Sequence, residues 1–223
     1  MPLLDEIDRL IDGRSLLDHP FYTKWAAGTL PLDALQEYAR QYYAFESRFP
    51  TFLSALHSRS ESREVRASLL ENLWDEEHGE ANHAELWLRF AEGLGVSRED
   101  VRSATPNEGT KALVDTYRSV TTQAPVAAGV AAVYAYERQV PGVAASKIDG
   151  LRRFYGITEG PALQFFELHG HLDVEHSAAE ARMIQDLAGD DEDRVLVATG
   201  AALDAWWGFL DAVDPGEEGD AAA

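Results

Sequence analysis

The sequence predicts an all-α, single-domain bundle of about seven helices over residues 1–213. Three observations lead there. Ala, Leu, Glu and Arg dominate the composition, and all four favour helix. Alternating β-branched runs, which mark half-buried strands, are missing. Apolar residues instead recur at three- and four-residue intervals through several long segments. The 223 residues, 45% of them hydrophobic, suffice for one complete core, and no linker or internal repeat divides them.

The elements follow in order. Residues 3–11 make a short amphipathic start. A short helix over 19–28 has Pro20 in its first turn, where a missing N–H costs nothing. Gly28 and Pro31 punctuate the chain. Residues 32–57 read as a long helix interrupted near Pro50. Residues 62–93 read as another, with Leu69, Leu70, Leu73, Leu86, Trp87 and Phe90 in helical register, ended by Gly93 and Gly95. A loop over 97–106 leads into helices over 107–121 and 126–139. Pro141 breaks or kinks the latter, and helix resumes over 147–155. Thr158 and Pro161 restart a long helix that runs to Leu187, and 191–213 form the last. The tail, 214–223, has no apolar pattern and is expected to be a disordered acidic segment.

The formal net charge is −20, a surface that repels nucleic acid and anionic membranes. Only Lys24, Lys111 and Lys147 are lysines among 19 basic residues. Abundant carboxylates with scarce lysine read as adaptation to high salt, which screens self-repulsion. No run approaches the length of a membrane span, and the acidic N-terminus lacks a secretory pattern, so a soluble, cytoplasmic protein is expected. With no cysteine, thiolate ligands and cysteine nucleophiles are excluded.

The chemistry concentrates in two acidic windows holding five of the seven histidines: WDEEHGEANH, 74–83, and HGHLDVEH, 169–176. At about 100° per residue, Asp173 lies about 40° around the helix from His169, and His176 about 20° the other way. These three share a face that His171 and Glu175 do not. Glu76 and His83 also share a face, but about 10.5 Å apart along a regular helix. An irregularity at Gly79 would shorten that span. Glu80 with His83 makes the Glu-x-x-His pattern of bundle di-iron proteins, so spacing leaves Glu76 and Glu80 both open. Either window alone reads equally as a solvated acidic face. Two such windows, each flanked by core-type Leu, Trp and Phe, point inward together, and buried carboxylates need cations. Imidazole and carboxylate without thiolate suit iron, manganese or zinc.

At these windows the chain resembles the haem-oxygenase-like di-metal oxidases. Asp75-Glu76-Glu77, Asn82-His83 and Leu86-Trp87 carry the resemblance. So do His19-Pro20-Phe21-Tyr22 with Trp25, Gln41-Tyr42-Tyr43 leading to Phe49-Pro50, and Tyr136-Glu137-Arg138-Gln139-Val140-Pro141 with Lys147. The pattern resembles the para-aminobenzoate-synthase branch, typified by the chlamydial protein associating with death domains, and its pyrroloquinoline-quinone-synthase-like relatives. The resemblance implies metal ligands at Glu76, His83, Glu137, His169, Asp173 and His176, choosing Glu76 over Glu80. It implies two divalent ions, Fe/Fe or Fe/Mn, with O2 as co-substrate and an external reductant. It further implies that Tyr22 is the ring source, with Tyr136 beside the metals and Lys147 supplying nitrogen. Homodimers are expected of such bundles. One position departs from the pattern: Phe165 stands where a pocket tyrosine is expected. Two other functions fit the same sequence, oxidation of an external small acid or amine in a cavity lined by Tyr22, Tyr136 and Phe165, and a non-catalytic binding or regulatory module.

Overall fold

In a computed structural model, residues 2–214 are described, and among them there is helix and no strand. The helical segments expected from periodicity are all helical, but several are divided. The 32–57 segment is two helices, α3 (Leu32–Glu46) and α4 (Phe49–Arg59), because Pro50 sits in the first turn of α4 and the chain bends at Ser47–Arg48. The 62–93 segment is likewise α5 (Arg63–Glu77) and α6 (His83–Gly93). The break expected at Pro141 is present, since one helix ends at Glu137, but helix resumes at once. Pro141 opens α10 (Val140–Phe154), which runs unbroken through Lys147, rather than delaying helix until 147. The expected loop over 97–106 contains a short helix, α7 (Arg98–Ser103). Ser97 caps it by accepting from the Asp100 N–H, a Ser-x-x-Asp signal that composition alone obscures.

The remaining helices are α1 (Leu3–Gly13), α2 (Pro20–Ala27), α8 (Glu108–Gln123), α9 (Val126–Glu137), α11 (Gln164–Leu187) and α12 (Glu192–Val213). The predicted tail falls outside the described residues apart from Asp214, whose carboxylate accepts from Lys24 at 2.7 Å.

Helix α9 organises the rest. Its sequence, VAAGVAAVYAYE, is apolar on every side, and ten of its twelve residues are buried. It packs against α8, α11 and α12, while α4 lies on α5 and α6 on α3. Its small residues let neighbours approach closely: a Cβ on Gly129 would stand 2.5 Å from Leu56 Cδ2 and 3.1 Å from the Val120 carbonyl. An aromatic core of Tyr38, Tyr42, Phe45, Tyr117, Trp206 and Phe209 fills the space beside α9. No helix among the described residues is long and apolar enough to cross a membrane.

Against that apolar interior, a set of buried charged and polar groups stands out. Glu46, Asn72, Glu76, His83, Glu137, Lys147, His169, Asp173 and Glu180 are all buried. They lie on α3, α5, α6, α9, α10 and α11, so the fold gathers them from distant parts of the chain.

Candidate metal centre

The first window is built around a broken helix. Helix α5 ends at Glu77, Gly79 takes φ +86°, and Asn82 caps α6 by accepting from the Glu85 N–H at 2.9 Å. A left-handed residue at this point favours glycine, since a Cβ would clash with the backbone. The break replaces the two-turn separation of a continuous helix with direct approach: Glu76 Oε2 lies 2.8 Å from His83 Nδ1. Glu76 is buried, whereas Glu80, the rival on spacing, is exposed. His78 also faces out, stacked on Trp74.

Helix α11 behaves as its periodicity predicts. His169, Asp173 and His176 turn inward, and His171 and Glu175 are exposed. His169 Nδ1 lies 2.7 Å from the Phe165 carbonyl. Since a carbonyl only accepts, that nitrogen carries the proton and Nε2 is left as a donor of electrons. The His169 and His83 rings are 4.4 Å apart. His176 Nε2 contacts Asp75 at 3.2 Å, while its Nδ1 faces Asp173 at 3.7 Å and Glu137 at 3.8 Å. Asn72 donates to Glu137 Oε1 at 3.0 Å and fixes that carboxylate.

Two groups of potential ligand atoms result: Glu46 with His83 and His169, and Glu137 with Asp173 and His176. Within each group the atoms lie within 4.8 Å of one another. The chemistry of these atoms tests whether cations belong here. Ten buried side-chain polar atoms among the described residues lack a hydrogen-bond partner, and nine of them are on Glu46, Asn72, Glu76, His83, Asp173, His176 and Glu180. Even the 2.8 Å approach of Glu76 to His83 leaves both atoms unsatisfied. Buried polar groups are almost always paired, so convergent unpaired lone pairs are what ligands to a common ion look like.

The electrostatics agree. Burial, then the neighbouring Glu137 charge, pushes Glu76 well above the ordinary carboxylate range. Burial also pushes Asp173 up to about 8. Burial, and next the His83 charge, lowers His169 well below its ordinary value. His176 goes the other way: burial opposes its charge, but the nearby Asp173 and Glu137 carboxylates outweigh that and raise it to about 9. Without a cation these crowded carboxylates are driven toward their protonated forms and His176 toward its charged one, whereas divalent cations would take the place of those protons and stabilise the carboxylates and neutral imidazoles as ligands. The residues present therefore fit a pair of ions with nitrogen and oxygen ligands.

Beside this centre lies a packed aromatic cluster. Tyr22, Tyr136 and Lys147 all belong to it, but Lys147 meets the Tyr22 hydroxyl through another residue. Lys147 Nζ lies 2.6 Å from the hydroxyl of Tyr38, which in turn is 3.5 Å from the Tyr22 hydroxyl. The rings of Tyr22, Tyr38 and Phe166 stand 5.4, 4.8 and 5.0 Å from the amine. Burial lowers Lys147 to about 7, so near neutral pH a large share of this amine is uncharged. Tyr38 stacks obliquely toward Tyr42, and the Tyr42 and Tyr136 hydroxyls bond one another near Glu46. Phe165 packs 4.1 Å from the His169 ring and 4.9 Å from Trp87.

The family described as iron-containing redox enzymes matches residues 36–207. The chain belongs to this family. A 4-aminobenzoate synthase of Chlamydia muridarum is 43% identical over 211 residues, 95% of this chain and 89% of that protein. A 4-aminobenzoate synthase of Nitrosomonas europaea is 41% identical over 219 residues, 93% of this chain and 89% of that protein. Among solved structures, a Shewanella denitrificans domain with a haem-oxygenase-like fold has a TM-score of 0.79 at 18% identity, covering 95% of this chain and 90% of that one. That similarity establishes the fold, and membership of a redox-enzyme family replaces the reading of a non-catalytic module.

For a member of the iron-containing redox enzymes, this chain holds three site residues that spacing did not mark. Glu46 follows Tyr42 by four residues on the buried side of α3, so helical register was the available signal, masked by the aromatic run around it. Glu180 follows His176 by four on α11, and burial with the Glu137 carboxylate pushes it well above its ordinary range. Tyr38 precedes Tyr42 by four. Nothing in the sequence separates it from an ordinary core aromatic.

Proposed function

We propose that this chain is an O2-dependent di-metal oxidase that forms 4-aminobenzoate from its own Tyr22, with Lys147 supplying the nitrogen. The observation that carries the reading is a buried lysine amine 5.4 Å from the Tyr22 ring and 2.6 Å from the Tyr38 hydroxyl, alongside two convergent sets of unpaired ligand atoms. The 4-aminobenzoate synthases related at 43% and 41% identity support it.

The atoms of the product indicate what must happen. The product is a benzene ring bearing one carboxyl carbon and a para amine. Tyrosine offers the ring, Cβ and a para hydroxyl. Its Cα–Cβ bond breaks, Cβ is oxidised to the carboxylate, and the phenolic oxygen is exchanged for nitrogen. That nitrogen comes from Lys147 by cleavage of its Cε–Nζ bond. O2 is the oxidant, and an external reductant balances the electrons. Two iron ions, or iron with manganese, held by the Glu46, Glu76, Glu137, Asp173 and histidine donors, would supply O2 reduction.

The protein's own residues do the rest. The rings around Lys147 exclude water and keep its amine neutral and nucleophilic. Tyr38 holds that amine at its hydroxyl and touches the Tyr22 hydroxyl, so it orients the two reacting side chains. Tyr38, Tyr42 and Tyr136 make a line of phenols from Tyr22 toward Glu46, a path for oxidising equivalents. The residues expected to line a cavity for an external molecule pack on other side chains instead: Tyr136 stacks on Trp206 at 4.4 Å, and Phe165 lies on His169.

The test is isotopic. Protein grown with ring-labelled tyrosine and 15N-lysine is purified without oxygen, loaded with iron and manganese, and exposed to O2 and reductant. Labelled 4-aminobenzoate carrying 15N, with matching mass loss from Tyr22 and Lys147, is expected. An intact chain that consumes O2 and releases no aminobenzoate, or that turns over an added amine or acid, would rule the self-consuming reaction out.

A further inference from the structure

The carboxylates of the centre do not come only from the two acidic windows. Glu46 closes α3, one turn after Tyr42. It is 3% exposed, and Oε1 has no hydrogen-bond partner. The groups facing it are the Tyr42 hydroxyl on α3 itself and, from other helices, His83 on α6, His169 and Asp173 on α11 and Glu76 on α5. With His83 and His169 it offers ligand atoms within 4.8 Å of one another. A narrow cleft of about 190 Å³ reaches this point from the surface, bordered by Glu46, Pro50, Glu76 and Asn82. A buried carboxylate with one oxygen unpaired carries a desolvation penalty, which a helix face otherwise built of aromatics does not call for.

Charge supplies the second argument. Glu76, Glu137 and Asp173 bring three negative charges, and neutral imidazoles bring none. Two divalent ions bring four positive charges, leaving one in excess inside the apolar bundle. A fourth carboxylate would remove it, and Glu46 is the one whose ligand atom lies within 4.8 Å of the His83 and His169 nitrogens.

We propose that Glu46 is a ligand of the ion held by His83 and His169, and that its carboxylate makes the two-ion centre electrically neutral. The proposal rests on the two-ion reading above. It divides the donors unequally: two imidazoles and a carboxylate on one side, one imidazole and two carboxylates on the other, with Glu76 close to both. Glu46 is thus a residue on which occupancy of one ion depends and the other does not.

The experiment is Mn(II) binding to the full-length chain, stripped by chelator and titrated anaerobically, for wild type, Glu46→Gln and Glu46→Leu. Ions per chain come from elemental analysis, and the free ion from its electron paramagnetic resonance signal. Wild type is expected to take two ions. Both variants are expected to keep one at unchanged affinity and to bind the other at least tenfold more weakly. Thermal unfolding guards against simple misfolding and gives an opposite sign. Stripped Glu46→Leu is expected to melt above stripped wild type, because a buried carboxylate with an unpaired oxygen is gone, yet to gain less on adding Mn(II). Two tightly bound ions in every variant, or a Glu46→Leu protein that melts lower when stripped while binding Mn(II) normally, would overturn the proposal and leave a purely structural glutamate. Fewer than two ions in wild type would instead overturn the two-ion reading on which it depends.

Discussion

Replacing Lys147 with methionine is expected to stabilise the metal-stripped protein at low pH and to lose that advantage at high pH. Methionine keeps most of the length of the side chain and removes the amine. Burial lowers this lysine from its ordinary value of 10.5 to about 7. At about 1.4 kcal/mol for each pH unit between those values, keeping the amine protonated costs the folded state at most about 5 kcal/mol. The surrounding ring faces attract an ammonium and return part of that, leaving a net cost of ~2–3 kcal/mol. The direction with pH follows from proton binding. Between the lowered folded value and 10.5 the unfolded chain holds the proton that the folded chain has released, so wild-type stability rises with pH across that window. Below it, both states are protonated and the full penalty applies. Urea unfolding of stripped wild type and Lys147→Met at about pH 6.5 is therefore expected to show the variant more stable by ~2–3 kcal/mol. Near pH 10 the order is expected to reverse by ~1 kcal/mol, since the variant leaves the Tyr38 hydroxyl without its 2.6 Å partner. Titrations of groups remote from this amine cancel in the difference, whereas Glu46 and His169 feel its charge and contribute to it. A difference that does not change with pH would show that the amine is not held neutral, and would remove the basis for its nucleophilic role.

Other perturbations separate the parts of the account. Glu76→Gln is expected to lose tight binding of an ion while Glu80→Gln, at an exposed position, leaves metal content unchanged; equal effects by elemental analysis would contradict the placement. Asn72→Leu removes the donor to Glu137 and is expected to weaken one ion by roughly tenfold in a chelator competition, whereas unchanged affinity would make that hydrogen bond incidental. Gly79→Ala forces a Cβ onto a φ of +86° in open space, so the cost is backbone strain alone, ~1–2 kcal/mol by denaturation; a neutral result would show that the turn relaxes. Raising KCl from roughly 0.1 M to roughly 2 M is expected to raise the melting temperature by screening the −20 charge, and a flat response would argue against the salt-adapted reading of the surface.

The legible and illegible parts of this molecule differ for physical reasons. Helical repeat on α11 was enough to gather His169, Asp173 and His176, because nothing interrupts the helix between them. Between Glu76 and His83 the same arithmetic gave too long a span, because the left-handed Gly79 ends one helix and lets another begin. A glycine in an acidic stretch announces that freedom only weakly. Pro50 and Pro141 showed the ambiguity of proline, which both begins and ends helices; each proved to lie in a first turn. Glu137 was reachable only through resemblance, since an isolated glutamate at the end of an apolar helix has no partner within one turn. Glu46 was hidden by its neighbours. In the run Tyr42-Tyr43-Ala44-Phe45-Glu46 helical register puts the acid on the face of Tyr42, but only the fold shows that this face is buried against His83 and His169. Lys147 illustrates the limit of composition: its rarity in an arginine-rich chain suggested a role, but its contact with Tyr38 depends on α3 and α10 meeting.

The central claim is that the buried carboxylates and imidazoles hold two metal ions. Elemental analysis of protein purified without oxygen, before and after exhaustive chelation, tests it most directly. The account predicts two iron or manganese ions per chain and a marked fall in melting temperature once they are removed. Less than one ion per chain in protein offered both metals, with a melting temperature indifferent to chelation, would contradict it.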